Sequence, residues 1–525
     1  MPRNHLFVLA VFAFAGFWLN AWAVPLFDLD EGAFTEATRE LFERGDFLMT
    51  YLDGLPRYDK PILIYWLQAA SVTAFGWSEF ALRLPSMLAA TAWMLAIYRF
   101  TLLVTEGNAE KALFAAGALA LSPIPGLIAH AATADALLNL WIALTLFDLW
   151  RWFAAAQSGE AASRWLLPRV YLWIGLGLIS KGPIAAALPV AVALPFALLH
   201  GQHRAALKAA FFVPGWGIAL AVVLPWAVAL TLRDHGDFFR HFLLDHNLNR
   251  YSATMESHGG RLWYYAAVLP LIVLPFAAWL APALGAVRRW KSEPLSTYLL
   301  LWFGLIFVLF STSKTQLPHY LLYGCTPLFV LFGMHMDAIR SKWWAVLPSL
   351  TFIVICASLP LILPHALPPE RSLYDRAIVE AIIAAISPWY HFATFTALAL
   401  LVLLVFSRRL SAARIALRAG MAVAVVAWCA ILPLLAAGQQ LPVQQAAARA
   451  RQLSGSVVAY RIHMPSFSVY RGAVTPPRTP VAGELAFTRV DRLEDLRRET
   501  GLPFAVEFQQ GGVALVRLGA LPLGQ

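Results

Sequence analysis

Long apolar blocks recur along nearly the whole of this sequence. Each is roughly 18–25 residues long, the length that crosses a hydrocarbon core of about 30 Å. A soluble fold would have to bury every block inside one core, and its surface would need charge to coat it. The charge is missing: 13% of the 525 residues are Asp, Glu, Lys or Arg and 60% are hydrophobic, where a soluble domain is about a quarter charged. The chain reads as an α-helical polytopic membrane protein. The expected spans are 6–27, 82–104, 110–128, 134–154, 168–180, 183–200, 208–231, 262–284, 296–312, 318–337, 342–363, 387–406 and 414–436, about thirteen transmembrane helices. Ala21-Trp22-Ala23 resembles a signal-peptide cleavage site, but the first block is long enough to span, so it is read as retained.

Charge orients the chain. With the N-terminus in the cytoplasm, the loops VRRWKSEP and SRRLSAARIALR and the residues Arg3, Arg151, Arg164, Arg204 and Lys208 fall inside. Asp30, Glu31, Asp59, Asp135, Asp234 and Asp245 fall outside. This is the positive-inside pattern, and it accounts for the net charge of +10 without nucleic acid. An odd number of spans puts the C-terminal tail outside. Residues 1–436 are therefore expected to form the membrane domain, with external loops at 28–81 and 232–261, and residues 437–525 a small external α/β domain. In that tail SVVAYRI, FSVYRG and GGVALVRLG read as strands and VDRLEDLRRETG as a helix. In the first loop, 33–44 has helical composition, broken by Gly45, Gly54 and Pro56. KPILIYWLQAASVTAFG, residues 60–76, is short for a span and carries Tyr65 and Trp66, so it reads as an amphipathic helix lying at the interface. Cys325, Cys356 and Cys429 all sit in apolar spans, with neither zinc-site spacing nor a disulfide framework.

Ionisable residues concentrate in LDEGAFTEATRELFERGDFLMTYLDGLPRYDKP, residues 29–61. Asp30 and Glu31 follow the first span; Asp59 and Lys60 precede the next apolar stretch. A carboxylate at a membrane boundary can simply be solvated, but a lysine beside carboxylates there suits a phosphate-bearing amphiphile. Lysine neutralises phosphate oxygens, and a carboxylate acts as base or holds a divalent cation. Asp135 begins another apolar span after His130-Ala131-Ala132-Thr133-Ala134; acids in such places are costly and commonly functional, although an acid also suits a helix N-terminus. Lys181 lies in the SKGP turn. Lys314, His319 and Tyr320 lie in STSKTQLPHY, and His246, Arg250 and His258 in the loop after residue 232. Each is weak alone. Five polar turns opening on one side of an apolar protein point to one active site. GxGxxG, HExxH and nucleotide-loop patterns do not occur, so no nucleotide cofactor is expected.

Taken together, LDEG, DGLPRYDKP, TAD at Asp135, SKGP, HNLNRY…HGGRLWYY and SKTQLPHYLLYGCTPL resemble lipid-phosphate-dependent glycosyltransferases of the GT-C fold. The nearest group is aminoarabinose transferase-like, related to protein O-mannosyltransferases. The resemblance covers most of residues 6–436. It implies transfer of a sugar, 4-amino-4-deoxy-L-arabinose or a related one, from undecaprenyl phosphate to a periplasmic acceptor, a phosphate of lipid A in the aminoarabinose group, at the bacterial inner membrane. The modification confers resistance to cationic peptides such as polymyxin. It also implies roles. Asp30 matches the catalytic acid, with Asp135 and Lys60 beside it. Lys60, Arg250, Lys181 and Lys314 are expected on the donor phosphate. Glu31, His319, Tyr320 and His258 are expected at the acceptor or sugar site, and Asp59 and His246 on a divalent metal. Two positions depart from the pattern: Ala33 stands for an arginine and Asp59 for a glutamate. Transfer to another acceptor, as in O-mannosyltransferases, is the alternative within the class. A lipid or solute transporter is the alternative outside it; that would need mid-membrane charges and paired broken helices. A membrane scaffold would leave Asp30, Asp59 and Lys60 unexplained.

Overall fold

The computed structural model describes residues 3–243, 261–365 and 371–519. Helix occupies at least part of every expected span. Among the described residues seven helices are long and apolar enough to cross a bilayer: Glu79–Val104, Asp135–Ser158, Val213–Asp234, Pro294–Ser311, Lys342–His365, Pro388–Phe406 and Ala412–Gln439. An eighth span is a bent pair, Ala109–Ala120 and Pro123–Ala129, turned by 65°. The other expected spans are realised as shorter or broken helices. Asn4–Trp18 and Ile184–Leu199 are apolar but short, about 22–24 Å at 1.5 Å per residue. Block 262–284 is cut after Ile272, close to Pro275, because proline removes a ladder donor and clashes with the preceding turn.

One end of the bundle carries a polar cap. Its first element is the cap helix Asp30–Arg44, closed by Gly45 in the left-handed conformation (φ 64°). A two-residue hairpin follows, β1 (Tyr51–Leu52) and β2 (Leu55–Pro56), antiparallel. Its turn is Asp53-Gly54, both at positive φ (55° and 83°), the combination a tight hairpin needs. The apolar helix Leu63–Phe75 comes next, where an interfacial helix was expected. The C-terminal domain completes the cap. Helix Leu441–Gln452 packs on a four-stranded sheet of order β3-β4-β6-β5. Here β3 is Val457–Ala459, β4 Leu485–Arg489, β5 Phe504–Gln510 and β6 Val513–Leu518. β3 runs parallel to β4, and β6 is antiparallel to both β4 and β5.

One tail element differs from expectation. FSVYRG is not a strand; Ser466–Arg471 forms a helix ended by left-handed Gly472. The reason is tertiary. The Ser466 amide donates to Asp28 Oδ1 (3.0 Å) and its hydroxyl to Oδ2, while Phe467 stacks on Phe487 of the sheet (4.0 Å). This short helix lies against the cap helix. Gly32 makes the approach feasible: a Cβ there would meet Asp28 Oδ1 at 2.0 Å and the Ser466 backbone nitrogen at 2.8 Å.

Candidate active site

Asp30 and Glu31 are neighbours with opposite surroundings. Asp30 is exposed at the first position of the cap helix, and its carboxylate forms no hydrogen bond or ion pair among the described residues. Glu31 is buried (3% exposed). It takes the Arg83 guanidinium with both oxygens, Nε at 2.7 Å and Nη2 at 2.9 Å. It also accepts the amides of Phe27 (2.7 Å) and Ala132 (3.0 Å). Arg83 spends its remaining donors on the carbonyls of Ala21, Val24 and Pro25. Glu31, expected at the sugar or acceptor site, is instead fully engaged as a strut: with four protein donors on it, no oxygen is left open to a substrate.

That strut fixes the turn that carries Asp135. The bent span delivers residues 131–134 to the cap end, and three side chains grip them. Glu31 holds the Ala132 amide, Gln68 donates to the Ala132 carbonyl (2.9 Å), and Ser86 donates to the Thr133 carbonyl (3.0 Å). Asp135 then opens the next span. Its Oδ1 accepts from Lys181 Nζ (2.5 Å) and the Tyr323 hydroxyl (2.7 Å), and His319 Nε2 lies 3.9 Å away. Lys181 also donates to the Tyr323 hydroxyl (2.8 Å) and rides over the Tyr320 and Tyr323 rings. TAD, SKGP and LPHY thus meet as one cluster. Lys314 stays exposed in the turn before it.

The DGLPRYDKP segment is tied to the other side of the cap helix. Arg57 is buried, donates to the Ala33 carbonyl (2.5 Å), lies over the Phe34 ring and pairs with Asp59 at 3.4 Å. Lys60 Nζ donates to the Asp59 carbonyl (3.1 Å). Asp59 and Lys60 are thereby held at the first turn of the helix that begins with Asp30. The second loop starts against the same segment: His241 stacks on Tyr58 (4.9 Å), Arg233 pairs with Asp46, and Trp226 donates to the Leu48 carbonyl (2.9 Å). His246, Arg250 and His258 lie outside the described residues. Among the described residues no three His, Cys, Asp or Glu side chains are grouped to hold a metal ion. Asp59 faces a guanidinium, so the described residues do not by themselves build a cation site.

The profile of the dolichyl-phosphate-mannose-protein mannosyltransferase family matches residues 59–228. A curated protein of Serratia proteamaculans named undecaprenyl phosphate-alpha-4-amino-4-deoxy-L-arabinose arabinosyl transferase is 29% identical over 383 residues, 70% of this chain and 67% of that one. A protein of the same name from Aeromonas hydrophila is 29% identical over 397 residues, 70% and 71% of the two chains. The crystal structure of ArnT from Cupriavidus metallidurans bound to undecaprenyl phosphate superposes with a TM-score of 0.81 at 19% identity, covering 100% of both chains. The chain is similar to aminoarabinose transferase-like glycosyltransferases in sequence and has the GT-C fold. It is a multi-pass membrane enzyme, and its cap is where the family fold gathers ionisable side chains.

For a glycosyltransferase of this family, sequence reasoning overlooked three participants. Arg83 sits inside LRLPS at the start of a span, where a lone buried arginine signals a partner. Arg57 stands two residues from Asp59, in a segment where charge is already dense. Tyr323 looked like one more aromatic in an apolar block. Each partner is distant in sequence or hidden by composition, so only the fold pairs them.

Proposed function

We propose that this enzyme moves 4-amino-4-deoxy-L-arabinose, or a closely related sugar, from undecaprenyl phosphate to a lipid A phosphate on the periplasmic face of the inner membrane. The N-terminus is then cytoplasmic and the cap periplasmic. The observation that carries the reading is an open carboxylate, Asp30, on a helix whose next residue is bolted to the turn bearing the Asp135–Lys181 pair. The names of the relatives supply the sugar and the carrier.

In the reaction an acceptor oxygen attacks the anomeric carbon. The new carbon–oxygen bond forms as the bond to the carrier phosphate breaks, and undecaprenyl phosphate leaves with the electron pair. Negative charge grows on that phosphate, and preorganised cations stabilise it. Lys60, beside the first turn of the cap helix, is assigned to this task together with Lys181, whose charge Asp135 and Tyr323 orient. Arg250 is assigned there from the family pattern. A phosphate acceptor is already ionised, so Asp30 has no proton to remove; it orients the acceptor or offsets positive charge on the sugar. A hydroxyl acceptor would make Asp30 the base. The mannosyltransferase profile favours a second reading, transfer to a protein hydroxyl.

Purified protein given undecaprenyl-linked sugars and a panel of acceptors separates these readings. The expected product is aminoarabinose on lipid A, with Asp30→Asn lowering transfer by about 10²–10³-fold and Lys60→Ala raising the donor KM. Full activity of Asp30→Asn would remove Asp30 from the chemistry, and transfer only to protein would select the second reading. A divalent cation at Asp59 is a separate proposal. Chelator-sensitive transfer supports it, and unchanged transfer ends it.

A further inference from the structure

A second basic site lies along the cap helix at Arg39, Phe42 and Glu43, with neither Asp59 nor Lys60 in its lining. It is a groove of about 880 Å³ between the cap helix, the start of the Glu79–Val104 span and the C-terminal domain. Five charged side chains line it: Arg39, Arg451, Arg471, Glu43 and Glu79. Both acids are engaged. Glu43 is bound to Arg39 (2.8 Å). Glu79 accepts from the Tyr470 hydroxyl (2.9 Å) and from Gln444 (3.3 Å). Arg39 is also held by Glu36.

Two arginines remain without a carboxylate among the described residues. Arg471 is half-buried and donates only to the carbonyls of Ala473 and Val474 (3.4 and 2.6 Å). Its pKa is pushed down by burial and by the nearby Arg39 charge, against the raising effect of Glu36 and Glu43. Arg451 is exposed and forms no ion pair or hydrogen bond there. An anion in the groove could pair with both.

The height of the groove says which anion. Its lining includes Ser78, the N-cap of a membrane span, whose hydroxyl accepts from the Ala81 amide (3.2 Å). Trp77, 49% exposed, stands beside it with Phe42 against its ring (5.5 Å). Exposed tryptophan at a span terminus marks the headgroup level, and arginine at that level pairs with lipid phosphate. We propose that this groove binds the phosphate headgroup of a membrane lipid through Arg451 and Arg471. The site is separate from the Asp135–Lys181 cluster and would bridge the C-terminal domain to the bilayer.

Native mass spectrometry of the full chain tests this without any transfer assay. The protein would be extracted from vesicles of mixed phosphatidylcholine and phosphatidylglycerol. The wild type is expected to retain phosphatidylglycerol preferentially, and Arg451→Ala/Arg471→Ala to lose about tenfold of that preference, the size of one charged hydrogen bond. Arg471→Lys, which keeps the charge, is expected to retain most of it. Arg451→Ala alone tests the exposed partner should the double variant fold poorly, and is expected to lose part of the preference. Equal retention by the wild type and both alanine variants would overturn the proposal. Binding of inorganic phosphate with no retention of phosphatidylglycerol would overturn it too, reassigning the groove to a free anion.

Discussion

Two carboxylate–cation pairs anchor the cap, and they are built to opposite specifications. In Glu31–Arg83 the side chains are 3% and 1% exposed, and every contact is to protein. In Asp135–Lys181 they are 11% and 14% exposed; the lysine faces two aromatic rings, and a histidine stands at 3.9 Å. The first pair is saturated and rigid. The second is a little less enclosed, and its cation lies against two aromatic rings. The Ala132 amide on Glu31 joins them, so the Glu31–Arg83 pair helps set the position of the Asp135–Lys181 pair.

The comparison breaks most visibly at the buried pair. Removing one partner leaves an uncompensated charge inside the protein, a loss of about 3–5 kcal/mol. Arg83→Leu is therefore expected to lower the thermal midpoint in detergent sharply, or to prevent recovery of folded protein. Glu31→Gln leaves the Arg83 charge unpaired and turns an amide NH2 toward two N–H donors, so it should destabilise as well. A wild-type midpoint for Arg83→Leu would show that Glu31 is not a strut.

Gly32→Ala is expected next. The added methyl lies 2.8 Å from the Ser466 backbone, so the C-terminal domain must shift on the cap helix. Overpacking of this kind costs about 1–3 kcal/mol. Proteolysis of the tail at lower protease concentrations would report it, whereas unchanged protection would mean the interface yields freely.

The open pair should respond in catalysis more than in stability. Lys181→Met is expected to lower transfer roughly a hundredfold and to cost less midpoint than Arg83→Leu, because Tyr323 and His319 still face Asp135, while Tyr323→Phe is expected to lower transfer about tenfold with a near-native midpoint. If Lys181→Met instead destabilised as Arg83→Leu does, the distinction between the two pairs would collapse.

These contrasts also say how much the chain declares in advance. The apolar blocks, the cap helix, the interfacial segment and the C-terminal domain follow from periodicity and composition, which are local. Asp30, Asp59, Lys60, Asp135 and Lys181 stood out because charge is rare in this sequence. What stayed hidden depends on pairing across the fold. Glu31 looked like Asp30 until Arg83, 52 residues away, was placed on it. FSVYRG alternates like a strand, and only its docking on Asp28 and Phe487 makes it a helix. Several apolar blocks were long enough on paper, yet proline divides them.

The smallest expected effect concerns Asp28, which touches the same helix start. Burial lifts its carboxyl from 3.8 to about 7, against the lowering effect of the Ser466 hydrogen bonds, with the Glu31 and Asp53 charges adding to the rise. The folded state then holds a proton that the unfolded chain releases. Stability from this group is complete below the unfolded value and declines as pH rises from about 4 to about 7. Asp28→Asn holds its neutral form at every pH and still offers Ser466 an acceptor. It should flatten the fall of the thermal midpoint across that window by a few degrees, leaving Glu31–Arg83 intact. If the midpoint of the wild type is level between those pH values while Asp28→Asn lowers it, the carboxylate is charged at the interface. The cap helix would then be fastened by charge-assisted hydrogen bonds at Asp28 as well as by the ion pair at Glu31.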